Sequence, residues 1–393
     1  MSNFSYYTPT HVYFGRGTQN QVGELVRAQG CKKVLIHYGG QSARRSGLLA
    51  QVEASLDAAG VAHVQLGGVV PNPHLSLVYE GIELCRREGV DFILAVGGGS
   101  VIDSAKAIGY GMCMDGDVWE LYNHTRRATG CLPIGVILTI AASGSEMSDS
   151  SVITKEEGGI KRGYNDDICR PKFAIMNPEL TMTLPDYQTA CGCTDILMHT
   201  MERYFVQGDA MEITDSIAEA LMRTVMKQAK ILRDDPKNYD ARAEVMWAGS
   251  LSHNGLTGCG HDGSDFASHR LEHEMGGMFD VAHGAGLAAV WGSWARYVYQ
   301  NCMPRFVRFA RNVMGVEAEL SDDAAALRGI ELMEDFFRSI HMPTCFSELG
   351  IHPTQEQLEE MAHKCYLAVG GLLGSAKKLD EGDMLAIYKM ANH

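Results

Sequence analysis

The feature that most constrains this chain is a change of texture near Pro185. Up to Met176, short apolar runs alternate with helical patterns. Lys33–Tyr38 and residues 61–70, 92–96, 133–139 and 172–176 read as buried strands, with helical patterns at 46–59 and 76–88 between the first of them. Strand and helix alternating through short loops specify a parallel sheet covered by helices on both faces. From Asp186 onward only helical patterns follow, at 186–206, 212–233, 238–256, 264–276, 284–297, 303–315, 322–340 and 355–368. The expected architecture is an α/β domain over residues 1–185 and an all-α domain over residues 186–393, each long enough for its own core.

The helical half carries a histidine cluster. His269 and His273 stand four residues apart, so on a helix they share one face. The pair Gly276-Gly277 is expected to break or bend that helix, and His283 lies just beyond, where a returning chain can aim it at the same point. Upstream, Asp195 and His199 repeat the four-residue spacing. Two such pairs on facing helices can surround one divalent ion with imidazole and carboxylate. Each histidine taken singly reads as a polar residue on a solvated face; together, in otherwise apolar helices, they read as a metal site. Cys191 and Cys193 sit beside Asp195 as rival thiolate ligands, and read better as small buried residues.

Two glycine-rich turns in the first half carry different chemistry. Gly97, Gly98, Gly99 and Ser100 directly follow a buried strand and open a helix that contains Asp103. Glycines let a ligand approach the backbone, and the amides of a helix N-terminus attract a diphosphate. The other reading, a cap formed by Ser100 and Asp103, is compatible with the first. The turn from Thr139 to Glu146 also follows an apolar strand, and its Thr139, Ser143 and Ser145 are candidates to line a nicotinamide or phosphate path. By itself such a turn is more often an ordinary loop.

The end of the first strand speaks to cofactor type. An acidic residue there would bind an unmodified ribose and repel a 2′-phosphate. Residues 38–45 hold none. Gly39 and Gly40 leave space, Ser42 can donate a hydrogen bond, and Arg44 or Arg45 can pair with phosphate unless both simply begin a solvated helix. The earlier Gly15-Arg-Gly17 fails as a dinucleotide fingerprint, because Asn20 stands where the third glycine is needed.

Charge and composition exclude other classes. A net charge of −14 argues against nucleic acid and anionic membrane surfaces. No apolar run approaches a bilayer span, and the first residues have neither the basic start nor the apolar core of a signal peptide. The 11 cysteines include no CxxC pair, which fits a reduced, cytoplasmic protein.

These motifs resemble the iron-containing (group III) alcohol dehydrogenase family, and within it the NADPH-dependent butanol dehydrogenase type. The resemblance runs from the FGxG at Phe14 to the C-terminal helices. Its most specific pieces are residues 97–106, the turn 139–146, Asp195-x3-His199, and His269-x3-His273-Glu274 followed by His283-Gly284. It implies a Rossmann-like dinucleotide-binding α/β domain, an all-α metal-binding domain and a cleft between them, a fold shared with dehydroquinate synthase. It implies Asp195, His199, His269 and His283 as ligands of a divalent metal, Fe2+ foremost, with Zn2+ or Ni2+ as alternatives in the purified protein. His273 resembles a non-ligand histidine near the nicotinamide, a proton relay or an orienting group. Lys161 resembles a lysine beside the cofactor. The implied reaction is hydride transfer between NADP(H) and a small primary alcohol or aldehyde, such as butanol or butanal, in a cytoplasmic homodimer.

Rival readings fit less well. A metal hydrolase has no use for the glycine turn. A lyase of the dehydroquinate synthase type uses a glutamate and two histidines, without the Asp195-x3-His199 pair. A binding module needs no open coordination position.

Overall fold

The computed structural model describes every residue except Asp209 and divides the chain into two compact units. One comprises Thr8–Thr183. The other joins Met1–Tyr7 to Leu184–His393, with the amide of Ser2 donating to Gly260 O at 3.0 Å.

The α/β unit is built on six parallel strands: β1 (His11–Phe14), β2 (Lys33–Tyr38), β3 (Ala62–Leu66), β4 (Phe92–Gly97), β5 (Ile134–Leu138) and β8 (Phe173–Met176), in the order β1-β8-β5-β4-β2-β3. All six residues of β4 are buried, as the apolar run Phe-Ile-Leu-Ala-Val-Gly requires of a strand covered on both faces. Helices α1 (Val22–Ala28), α2 (Leu48–Ala58), α3 (Leu75–Glu88) and α4 (Gly99–Met112) belong to the same unit. Val22, Val26, Val52 and Leu56 join the strand residues Val34, Ile36, Phe92, Leu94 and Phe173 in one core.

Strand order decides where a ligand can bind. After β2 the chain moves outward to β3, and after β4 it moves the other way to β5. The topological switch point therefore lies between β2 and β4, where parallel α/β sheets bind ligands outside the carboxyl ends of their strands. Tyr38 pairs with Val96 in register and Gly97 with Leu138, so the turns after β2, β4 and β5 share that edge.

The helical unit contains α5 (Asp186–Tyr204), α6 (Glu212–Asp234), α7 (Tyr239–His253), α8 (Ala267–Phe279), α9 (His283–Val298), α10 (Met303–Asn312), α11 (Asp322–Ser339), α12 (Gln355–Ala368) and α13 (Glu381–Ala391). Helix α9 is buried continuously from Gly284 to Ala295, which identifies it as the centre of the unit. Its glycines admit close neighbours: a Cβ on Gly284 would lie 2.2 Å from Cys191 O, and one on Gly292 2.0 Å from Glu334 Oε1.

The structure differs from the sequence expectation at several places. Gly276-Gly277 does not break α8, which continues to Phe279 and stops at Asp280 in the left-handed region (φ 51°). Two helical glycines cost about 1 kcal/mol each, less than the burial of the apolar face of α8 returns. Strands β6 (Ser150–Lys155) and β7 (Ile160–Asn165) form an antiparallel hairpin that their polar sequences concealed. Helix α13, opened by a reciprocal cap between Asp380 and Asp383, was also not anticipated. Among the described residues, no helix is long and apolar enough to cross a membrane.

Candidate active site

Helix α5 supplies Asp195 and His199, one turn apart and both buried. Helix α8 supplies His269 and His273, and His283 is the first residue of α9. Asp195 Oδ1 is the common point: it lies 3.2 Å from His199 Nδ1, 3.4 Å from His269 Nε2 and 3.7 Å from His283 Nε2. Ligand atoms of Asp195, His199 and His269 fall within 4.8 Å of one another. Asp195 Oδ1, His199 Nδ1 and His269 Nε2 are all shielded from solvent and make no hydrogen bond. Buried polar atoms left in this state are costly, and a carboxylate converging with imidazoles is the donor set of a divalent transition metal. The residues fit such an ion.

His273 is buried but is not one of the three atoms' owners that converge on Asp195. Its ring lies 5.9 Å from that of His283 and 6.5 Å from that of His269, beside the cluster. Cys193 is fully buried and the sulfur of Cys191 packs 3.9 Å from that of Met342. Burial pushes both thiols up to about 12, and neither sulfur belongs to the converging group of Asp195, His199 and His269.

Three side chains that sequence reasoning missed surround the cluster. Glu202 accepts from His269 Nδ1, and its other oxygen accepts the backbone N–H of His269 at 2.9 Å. Glu272 accepts from His283 Nδ1. His253 packs against His199 with 4.0 Å between ring centroids and the rings tilted by 50°. Spacing held a signal for the first, since Asp195, His199 and Glu202 stand at i, i+4 and i+7 on one face of α5.

The charges are mutually dependent. Burial works to raise the pKa of Asp195, but the imidazoles of His199, His269 and His283 outweigh it and hold the carboxyl well below the usual carboxylate range. Burial likewise opposes a charged His269, and Glu202 with Asp195 nevertheless brings it up to about 9. Burial holds His199 well below its ordinary value. A cation held here would take the place of a proton on His269.

At the switch point of the α/β unit, the glycine turn packs against the hydroxyl turn. A Cβ on Gly97 would meet Val101 Cγ2 at 2.4 Å, one on Gly98 Ile140 Cβ at 2.8 Å, and one on Gly99 Ser143 Oγ at 2.1 Å. The Thr139 amide donates to Gly97 O at 3.0 Å. No side chain caps α4, whose N-cap is Gly98. Asp103 turns inward instead, accepting from Ser145 Oγ at 2.6 Å and from the Val152 amide at 3.0 Å. Lys106, fully buried, donates to Ser145 O and Oγ, Ser148 O and Ser150 O at 2.7–3.0 Å. The two turns are therefore one braced assembly. Ser100 stands in the first turn of α4, and Lys161 is buried on β7 opposite Thr154.

At the end of β2, nothing lies within 4 Å of a Cβ built on Gly40, and on Gly39 the nearest atom would be Val69 O at 3.4 Å. Ser42 begins a one-turn helix, Ser42–Arg45. Arg44 folds back over the Tyr38 ring at 5.2 Å and donates Nε–H to its hydroxyl at 3.0 Å, so it is engaged within the domain.

Comparison with known proteins bears on both units. The family model for iron-containing alcohol dehydrogenase matches residues 9–178, and that for the C-terminal domain of the Fe-containing alcohol dehydrogenase family matches residues 189–392. An NADH-dependent butanol dehydrogenase A of Clostridium acetobutylicum is 39% identical over 99% of both chains. The NADPH-dependent aldehyde reductase YqhD of Escherichia coli is 34% identical over 89% of this chain and 90% of that one. The crystal structure of an NADH-dependent butanol dehydrogenase A from Thermotoga maritima superposes with a TM-score of 0.96 at 37% identity, covering 100% of this chain and 99% of the other.

Proposed function

The chain belongs to the iron-containing alcohol dehydrogenase family, and from that premise we propose that it interconverts a small primary alcohol, such as butanol, with its aldehyde, using NADP(H) and a divalent metal held by Asp195, His199, His269 and His283. It is an NAD(P)-dependent alcohol dehydrogenase. The observation that carries the metal reading is the convergence of unpaired, buried donor atoms on Asp195 Oδ1. Fe2+ is the metal we assign, with Zn2+ or Ni2+ as substitutes in purified protein.

A divalent cation supplies Lewis-acid chemistry at this position, acidifying an alcohol in one direction and polarising a carbonyl in the other. The protein's residues do the rest. The carboxylate of Asp195 and the imidazoles orient the site, and burial excludes water from three of its four donors. His273, beside but outside the ligand cluster, is the group we assign to relay the alcohol proton. The nicotinamide carries the hydride.

For the cofactor, we assign the diphosphate to the uncapped start of α4 at Gly97, Gly98, Gly99 and Ser100. Thr139, Ser143 and Lys161 complete the path, and Asp103 and Ser145 brace it from within. The choice of NADP(H) rests on the turn after β2. It offers no carboxylate to a ribose, an open Gly40 and the hydroxyl of Ser42. Of the three relatives named above, two are NADH-dependent and one is NADPH-dependent, so the assignment of NADP(H) rests on the turn alone.

The free cysteines suit a cytoplasmic enzyme, and a homodimer is the expected assembly, to be read by light scattering. The deciding experiment compares kcat/KM for both cofactors in wild type and Gly39→Asp. A Cβ at this position makes only ordinary contacts, 3.4 Å to Val69 O and 3.8 Å to Val101 Cγ2. Wild type is expected to favour NADPH and Gly39→Asp to favour NADH. A wild type that favours NADH, or a variant with unmoved preference, overturns the assignment.

A further inference from the structure

Two carboxylates beside the ligand cluster, Glu202 and Glu272, are almost completely shielded from solvent, at 1% and 0% exposure. Burying an ionised carboxylate is strongly unfavourable unless hydrogen bonds compensate it. Each faces the Nδ1 of a ligand histidine: Glu202 that of His269, and Glu272 that of His283. A carboxylate only accepts, so in both pairs Nδ1 carries the proton and donates it. That fixes the tautomer and leaves the lone pair on Nε2, the nitrogen that faces Asp195 Oδ1 in both residues.

We propose that Glu202 and Glu272 are positioning residues for the metal: they fix the Nε2 of His269 and His283 toward the ion and strengthen both imidazoles as donors. The inference rests on the metal reading above. The two glutamates act across helices, so neither is a product of local helix geometry. Glu202 on α5 grips His269 on α8 at two points, the ring nitrogen and the backbone amide. Glu272 on α8 grips His283 on α9. Its carboxylate lies against Gly286, where a Cβ would stand 3.0 Å from Glu272 Cγ and 3.3 Å from its Oε1. The three helices that carry the ligands are thus joined through carboxylate–imidazole pairs.

The arrangement brings three buried carboxyl groups, Asp195, Glu202 and Glu272, to the two histidines His269 and His283. His199 is built differently. Its ring packs at a tilt against that of His253, and the neighbouring Arg203 donates to His253 Nδ1 at 3.1 Å. The histidines backed by carboxylate are therefore expected to dominate affinity.

The test uses the full chain stripped of metal, with Zn2+ alone as the probe. Glu202→Gln and Glu272→Gln remove charge at nearly constant shape. Zn2+ dissociation constants from chelator competition are measured beside NADPH affinity by fluorescence and the visible spectrum of the Co2+-loaded protein. Each variant is expected to weaken Zn2+ binding by about 10- to 100-fold and shift the Co2+ bands. NADPH affinity is expected to stay at the wild-type value, a split that general loss of structure would not produce. If Glu202→Gln does not fold, Glu272→Gln, acting on a different helix pair, carries the test. Wild type that fails to bind Zn2+ stoichiometrically refutes the metal reading itself. Wild type that binds, with folded variants matching its affinity, overturns the role of the glutamates alone.

Discussion

Replacing Gly284 by alanine tests the geometry of the metal centre without touching a ligand. The added Cβ would stand 2.2 Å from Cys191 O and 2.7 Å from its C and Cα, all backbone atoms of α5. Ordinary contact is near 3.5 Å, so the start of α9 and the α5 backbone must separate by about 1 Å. His283 directly precedes Gly284, and Asp195 lies one helical turn beyond Cys191. The 3.7 Å approach of His283 Nε2 to Asp195 Oδ1 widens accordingly. Metal–ligand distances tolerate about 0.2 Å, so a shift of this size removes His283 from the shell. Overpacking costs about 1–3 kcal/mol, whereas alanine in an unobstructed helix would stabilise by up to about 1 kcal/mol. The sign of the stability change therefore discriminates. Thermal melting with and without Zn2+ is the assay, because an ion that binds the native state raises the transition temperature. Gly284→Ala is expected to melt below wild type and to lose most of the Zn2+-induced rise. A variant that melts at or above wild type and keeps that rise would refute the packing argument.

Two further predictions follow from buried histidines. His37 is sealed in the sheet, with Nδ1 2.9 Å from Leu66 O and Nε2 2.9 Å from Ser104 Oγ, and burial lowers its pKa from 6.5 to about 4. The unfolded chain then binds the extra proton first, so this stabilisation is complete above pH 6.5 and is lost as pH falls toward 4. The loss is on the order of 3 kcal/mol; melting from pH 7 to pH 4.5 should fall less in His37→Asn than in wild type, and parallel curves would disprove the assignment. His273→Ala should keep its metal by elemental analysis while turnover falls by about 10²- to 10⁴-fold with an altered pH profile. Loss of metal from that variant would mean that His273 is a ligand.

What the sequence made legible follows the strength of the local pattern. Strand β4 was readable because an uninterrupted apolar run ending in glycines leaves few alternatives, and β2 and β5 because their short runs are nearly as apolar. The hairpin β6–β7 was not: Ser-Ser-Val-Ile-Thr-Lys and Ile-Lys-Arg-Gly-Tyr-Asn carry polar and charged residues whose burial depends on tertiary partners. Four-residue spacing made the pairs Asp195–His199 and His269–His273 legible, whereas the choice of His283 over His273 as a proposed ligand came only from the family resemblance. Of the two glutamates beside the cluster, Glu202 had only its i+7 place on the Asp195 face to mark it, and Glu272 looks like an ordinary solvated helix residue until α8 and α9 are assembled. Arg44 shows the converse case. Its position suggested a phosphate partner, whereas in three dimensions the Tyr38 hydroxyl engages it.

In the proposed reaction, one metal held by Asp195, His199, His269 and His283 enables hydride exchange between a nicotinamide cofactor and an aldehyde. The most direct measurement is anaerobic reconstitution of metal-stripped wild type, His269→Ala and His283→Ala with Fe2+. Bound metal is read by elemental analysis and turnover by aldehyde-dependent loss of NADPH absorbance. Wild type is expected to recover stoichiometric metal and activity together, and both variants to recover neither. Stoichiometric metal with full activity in either variant would show that the replaced histidine is not a ligand.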